Sequence, residues 1–401
     1  SANAGFSGFS IYELFADDGS DINSNLKRVV DNFGRTEFFS VSQQLEVINI
    51  GYRVSNYDYL SFGYYETIES IGKIPRDLVD LYYDGNTVMD RKYSIDKLGL
   101  QADFTGVFHI GYSKKVRENL QLGARLKLYS GAINITATRN KGYLLTQLGT
   151  NNIYEQRLDD VNILARSSGL YLKPGEEADF DYFRSKLLLG GNLGLGLDLG
   201  FTYKLKEQWL MTGSILDLGF VNNSSDVRSR KVLGDFQIDG FQFYFDPNSP
   251  EDYWESLSEE FEEEIISEEL TDSYLSIRPI KLNASISYSF GQSMDDCRFL
   301  IDPDLYNNKI GAHLFSLVSP VHTYLAATVF YEKRFTPFLQ AKLTYTIDPF
   351  SFSNFGCGLS LQTGPLNLYF TAENLLRLNN IYNSKHTGFT LGMNLIFNGK
   401  K

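Results

Sequence analysis

Apolar and polar residues alternate along much of this chain, and the alternation recurs from end to end. Leu120, Leu122, Ala124, Leu126 and Leu128 fall on one side of a two-residue repeat, opposite Gln121, Gly123, Arg125 and Lys127. Side chains of a strand point alternately to its two faces, so the row predicts a strand with one oily and one polar face. The same pattern runs through 193–202, 281–290, 339–345, 355–362 and 389–397, and in shorter form through 60–64 and 103–112. The polar faces are mostly Gly, Ser, Thr and Asn with single charges, which suits a crowded lumen better than bulk water. Aromatic residues close several rows, as at Tyr112, Tyr203, Tyr288, Tyr345 and Phe397. Aromatic girdles flank the apolar band of membrane barrels in this way.

These features predict an all-β fold: a transmembrane antiparallel β-barrel of about 14 strands, with the oily faces toward lipid and short helical inserts in its loops. Short polar turns are expected at 55–58, 204–207 and 364–365, and longer inserts at 67–100, 136–188, 221–274 and 376–385. A short helix is expected at Pro75–Tyr83, where Leu78, Leu81 and Tyr82 share a face. A second, strongly acidic helix is expected over Glu251–Leu270, with Trp254, Leu257, Phe261 and Ile265 in a stripe. Residues 1–36 read as an N-terminal segment able to fold into the lumen or lie at the periplasmic side. Residues 37–401 read as the barrel, carrying the acidic insert at about 250–271.

Composition supports this picture and narrows the function. The chain has 401 residues, with 34 Gly, 26 Tyr, 30 Phe and only 10 Pro, a β-leaning balance. Mean hydropathy is −0.22, and no run is apolar enough for a transmembrane helix. Strands that expose only alternate residues to lipid keep such an average near zero. A net charge of −12 without a Lys/Arg cluster argues against nucleic acid as a partner. The opening SANAGFSGFS lacks the basic start and apolar segment of a signal peptide, so export implies a processed or truncated chain. Cys297 and Cys357 fix no disulfide framework and have no zinc-site spacing.

Several runs resemble a family of uncharacterised outer-membrane barrels from Bacteroidota: SANAGFSGFSIYELF, PRDLVDLYYDGN, NLQLGARLKLYSGAINI, GSILDLGF and FSNFGCGLSLQTGPLNLYFTAENLL. They occur in family order over nearly the whole chain. That family is similar to FadL- and PorV-like barrels, which implies about 14 strands, an N-terminal segment near the lumen and residence in a bacterial outer membrane. It implies no catalytic residues. The acidic insert is not part of the family pattern and reads either as a solvated surface helix or as a partner surface.

No enzyme site emerges. His109 shares the polar face of its strand with Asp103, but the two are too far apart along it to pair. His313, His322 and His386 are the other three histidines. Asp17–Asn23 lacks the register and terminal Glu of a calcium loop and reads as an acidic helix cap before Ile22, Leu26, Val29 and Val30. No catalytic residue, metal ligand or cofactor is therefore expected. The glycines of 190–200 make room in the lumen for bulky side chains. Arg125, Lys127, Asp198, Lys281 and Lys342 are the expected lumen-facing charges. Trp254, Leu257, Phe261 and Ile265 are the expected docking residues. Outer-membrane lipid is the expected surrounding, with other barrels or lipoproteins as candidate partners. The leading functional expectation is a non-enzymatic accessory or scaffold subunit of an envelope complex, for secretion or outer-membrane protein assembly. The alternative is a FadL-like transporter of hydrophobic small molecules.

Overall fold

The fold was read from a computed structural model. It describes residues 1–8, 10, 13, 22–149, 154–170, 180–238, 266–292, 306–376 and 384–397. In chain order the strands are β1 (Ala2–Phe6), β2 (Thr36–Arg53), β3 (Asp58–Pro75), β4 (Lys92–Ser94), β5 (Gly99–Arg117), β6 (Leu120–Ala137), β7 (Lys141–Leu148), β8 (Tyr154–Ser168), β9 (Asn192–Lys206) and β10 (Trp209–Asn223). They continue with β11 (Val227–Ile238), β12 (Ile266–Leu270), β13 (Tyr274–Ile277), β14 (Ile280–Gln292), β15 (Tyr306–Val318), β16 (Thr323–Thr336), β17 (Leu339–Ile347), β18 (Asn354–Thr363), β19 (Leu366–Ala372) and β20 (His386–Leu395). The helices are α1 (Ile22–Asn32), α2 (Arg76–Asp84) and α3 (Phe180–Ser185), the last running into a π turn at Lys186–Gly190.

The wall is a closed antiparallel barrel of 14 strands, in the order β1, β2, β3, β5, β6, β9, β10, β14 to β20 and back to β1. The alternating rows became wall strands, and their oily faces point out. Leu126, Leu195, Leu199, Leu314, Leu343, Leu359 and Leu391 are all exposed on the outer surface. A continuous apolar exterior of this kind is stable only in a bilayer, where strands must be paired around a closed ring.

The two rims differ. At one rim five connections are short, 54–57, 118–119, 207–208, 337–338 and 364–365, and the link between β14 and β15, 293–305, lies outside the described residues. In the first, the Ser55 hydroxyl donates to Asp58 Oδ2 at 2.7 Å and accepts the Tyr57 and Asp58 amides, which locks the reversal. At the other rim the inserts build more sheet. The sections 67–100, 136–188 and 221–274 carry paired strands that alternation did not reveal, since β4, β7, β8, β11 and β12 form a ladder that continues the wall upward from β6. The short helix expected near Pro75 is α2. The helix expected over 251–270 overreaches: Ile266–Leu270 is β12, where Glu268 and Glu269 face Lys231 and Arg230 on β11. Cross-strand neighbours decide that segment, overriding its helix propensity. Residues 239–265, including Trp254, Leu257, Phe261 and Ile265, lie outside the described residues, as do Cys297 and Asp17–Asp21.

One insert folds back onto the outside of the wall. The Leu187 carbonyl lies over Gly106, so close that a Cβ there would stand 2.3 Å from it. Ser130 Oγ donates to the Lys186 carbonyl at 2.6 Å and accepts the Leu189 amide at 3.0 Å. This strap covers Tyr64 on the outer row, which alternation alone would leave facing lipid.

Candidate functional site

The lumen is crossed by a compact set of charges, and two breaks in strand regularity put them there. Asp217 sits at a bulge in β10, where the register with β9 shifts between Ile215 and Leu218, and its φ is +61°. Such a residue is left out of the ladder and its side chain is re-aimed. Facing it on the next strand, Arg278 and Pro279 separate β13 from β14. Proline has no N–H to give the ladder, so the strand breaks there. The Arg278 amide still donates to Gly219 O at 3.0 Å, which fixes the break. Its side chain is then free to cross the lumen.

Arg278 is 1% exposed and bonds Glu69 of β3 at 2.6 Å and Asp103 of β5 at 3.5 Å. Lys281 of β14 bonds Glu69 and lies 3.3 Å from Asp217. Lys127 of β6 stands 2.6 Å from Asp217 and 2.8 Å from Asp198. The Asp217 amide donates to Asp198 at 2.8 Å, and Tyr129 donates to Asp217 at 3.2 Å. Neutral groups complete the set. Asn134 donates to Asp103 at 2.6 Å, Tyr274 to Asn134 at 2.6 Å, and Gln101 to the Ile277 carbonyl at 2.8 Å. Most of these bonds join strands that are not neighbours in the wall, so together they form a crosspiece bridging β3, β5 and β6 to β10, β13 and β14. Buried charges are tolerated only when paired and hydrogen-bonded, and here each carboxylate has a cation.

A small apolar core of Tyr65, Val107, Tyr129 and Val221 packs beside the charges. The predicted role of the strand glycines holds at Gly196, where a Cβ would fall 2.3 Å from the Tyr129 hydroxyl. Farther round the ring, Phe38 of β2 meets Tyr324 of β16, with ring centres 6.1 Å apart. It also meets Phe350 at 5.0 Å and His322 at 4.0 Å. This aromatic cluster joins opposite walls near the long-insert rim. Burial pushes the His322 imidazole below its ordinary pKa, and Lys73 adds to the shift.

Below the crosspiece, toward the short-turn rim, lies a cavity of about 270 Å³. Tyr59 and Leu216 give it apolar surface, while Gly111, Gly123 and Gly200 leave it open. Arg125 and Asp198 form its charged end, 3.9 Å apart, and Asp198 belongs to the crosspiece as well.

Four of the five lumen charges read from sequence meet at this place: Arg125, Lys127, Asp198 and Lys281. Lys342 stands elsewhere, on β17, with its ammonium 4.3 Å from the Phe330 ring. Glu69, Asp103, Asp217 and Arg278 were not singled out as partners. The alternating row of β5 puts Asp103 on the lumen side, whereas Glu69 falls in the stretch 67–100 expected to be an insert, because β3 in fact runs on to Pro75; nothing local points Asp217 or Arg278 inward. Asp103 is bound to Arg278, Asn134 and Gln101, not to His109. Among the described residues no group of His, Cys, Asp and Glu is arranged to hold a metal ion.

The fold and the crosspiece define a membrane-spanning β-barrel whose lumen is barred by its own wall residues. The chain belongs to DUF5723, a family of unknown function, whose model matches residues 1–373. No curated protein matches it in sequence. Among solved structures it is similar to two toluene transporters and a FadL homologue. The Ralstonia pickettii toluene transporter TbuX is 9% identical, with 90% of this chain and 81% of that one covered and a TM-score of 0.37. The Pseudomonas putida toluene transporter TodX is 10% identical, covering 93% and 80%, with a TM-score of 0.35. A Pseudomonas aeruginosa FadL homologue is 9% identical, covering 98% and 86%, with a TM-score of 0.37.

Proposed function

We propose that this protein is a non-enzymatic transporter barrel of a bacterial outer membrane, passing small, partly apolar molecules through a lumen gated by the charged crosspiece. The observation that carries this reading is the cavity of about 270 Å³ ending on Arg125 and Asp198. Asp198 is shared between cavity and crosspiece, so a molecule that displaced it would act directly on the Lys127 and Asp217 contacts. An engineered cavity of about 150 Å³ holds benzene. A space of 270 Å³ therefore suits a substituted single ring or a short amphipathic chain.

The scaffold expectation gains nothing comparable. Its docking stripe lies outside the described residues. Gentle purification from native membranes followed by native mass spectrometry separates the two readings. Transport predicts a lone barrel carrying a small bound molecule, and Leu216→Trp, which fills the cavity, removes that molecule while leaving the barrel folded. An empty barrel held in stoichiometric complex with other envelope proteins would overturn the transport reading.

A further inference from the structure

The short-turn half of the lumen is basic, in a chain whose formal net charge is −12. Below the crosspiece the strand register puts Arg53 of β2, Lys115 of β5, Lys204 of β9, Lys309 of β15, Arg334 of β16 and Lys342 of β17 on the inner face, together with Arg125. Among the described residues, Glu46 and Glu332 are the acids on that face outside the crosspiece, and Glu332 is held by Lys309 at 3.4 Å. Three of the cations stand at the open end of the cavity. Arg53 is paired with Tyr59, Lys115 takes the next inward place after Ser113, and Lys204 follows Gly200 and Thr202 on the inward row. Tyr59, Ser113 and Gly200 all line the cavity.

At the inner end of the cavity is a cation with donors to spare. The Arg125 side chain is 39% exposed, and its ion pair with Asp198 spans 3.9 Å, beyond hydrogen-bond length. Asp198 is already engaged by Lys127 at 2.8 Å and by the Asp217 amide at 2.8 Å. Among the described residues nothing else pairs with the Arg125 guanidinium, whereas Lys127, Arg278 and Lys281 are committed to the crosspiece. A guanidinium fork matches a planar carboxylate with two parallel hydrogen bonds. Around it, Tyr59 and Leu216 offer apolar contact, and Ser61, Ser113 and Ser214 offer hydroxyls.

The crosspiece closes the cavity on its far side, so this form fills from the short-turn mouth. Short turns of outer-membrane barrels face the periplasm. A cleft lined by one sign of charge concentrates the opposite ion and speeds its arrival. We propose that the short-turn half of the lumen is a loading mouth for small organic acids, in which the basic ring draws the anion in from the periplasmic side and Arg125 seats its carboxylate. This rests on the transport reading and adds to it the charge of the cargo and the side from which it loads.

Binding of benzoate and of its neutral isostere benzamide to the purified barrel in non-ionic detergent tests it. Titration calorimetry gives the affinities and stopped-flow mixing the rates. Benzoate is expected to bind at least about tenfold more tightly than benzamide, and the preference should shrink as salt screens the mouth. This comparison needs no variant. Arg125→Gln should abolish the preference, chiefly through faster dissociation. It leaves Asp198 its Lys127 and Asp217 contacts, and gel mobility checks that the barrel is folded. Lys115→Glu combined with Lys204→Glu should slow benzoate association at least about tenfold and leave its dissociation unchanged, because charges at the mouth act on the approach. Equal affinity for the two probes, a preference that survives Arg125→Gln, or an association rate indifferent to the mouth charges would each overturn the proposal and leave transport of neutral molecules standing. If neither probe bound the native barrel, the transport reading would fall with it.

Discussion

Replacing Arg278 with methionine tests the crosspiece at its centre. The guanidinium is 1% exposed and binds Glu69 at 2.6 Å, Asp103 at 3.5 Å and Thr105 at 3.4 Å. Methionine preserves much of the volume and removes the charge. Glu69 would keep Lys281, but Asp103 would keep only the neutral donors Asn134 and Gln101. Stripping one partner from a buried ion pair costs roughly 3–5 kcal/mol, because a charge is left uncompensated in a poor solvent. At about 1.4 kcal/mol per decade, the unfolding equilibrium should shift by two to three and a half orders of magnitude. Adding Glu69→Gln and Asp103→Asn to the same variant removes the stranded charges and should restore most of the loss. The assay is guanidinium unfolding of the barrel in detergent, followed by the gel mobility that distinguishes folded from heat-denatured barrels. If Arg278→Met unfolded within about 1 kcal/mol of the native protein, or if the triple variant were weaker than the single one, the crosspiece would not be the paired network described.

Further outcomes follow from single contacts. Gly196→Ala places a methyl against the Tyr129 hydroxyl and should destabilise by about 1–3 kcal/mol through overpacking, measured by the same unfolding. Tyr129→Leu in the Gly196→Ala background should recover part of this, because the hydroxyl and two ring carbons of Tyr129 all stand within 2.6 Å of the added methyl. The depressed His322 pKa favours the neutral imidazole in the folded state. Stability at the long-insert rim is then fully present above the free histidine value near 6.5 and declines as pH falls below it. Limited proteolysis at pH 8 and pH 5 should find the rim more readily cut at pH 5, and Phe38 contacts with a pH-independent His322→Phe variant should remove the difference.

The wall was legible in the sequence, while the crosspiece was legible only in part. Rows such as Leu193 to Phe201 have a period of two and a single apolar face, so both strand and orientation follow from the residues themselves. The inward charges Lys127 and Asp198 follow from the same rows, since they occupy the alternate positions. Asp217 does not, because a bulge breaks the parity that would place it, and Arg278 does not, because it lies between strands. Neither residue carries a local mark of its partner. Tyr64 fails for another reason: it holds its expected outward place, but the Lys186–Gly190 turn, distant in sequence, covers it. The ladder β7, β8, β11 and β12 was missed because its strands, outside the barrel belt, have no single oily face. The segment Ile266–Leu270 was assigned from its own helix propensity, which pairing with β11 overrode.

Arg278 and Glu69 are 209 residues apart in the chain. Their bond closes a very long loop, and contacts of that kind are the slow ones to form. Until the strands between them are in place, the acids of β3 and β5 face the interior without their cations. A half-assembled barrel thus keeps a wet, repulsive hollow that resists collapsing on itself. Arrival of the Arg278–Lys281 corner turns that hollow into a latch, which ties β3 to β14 across the lumen without calling on β15–β20.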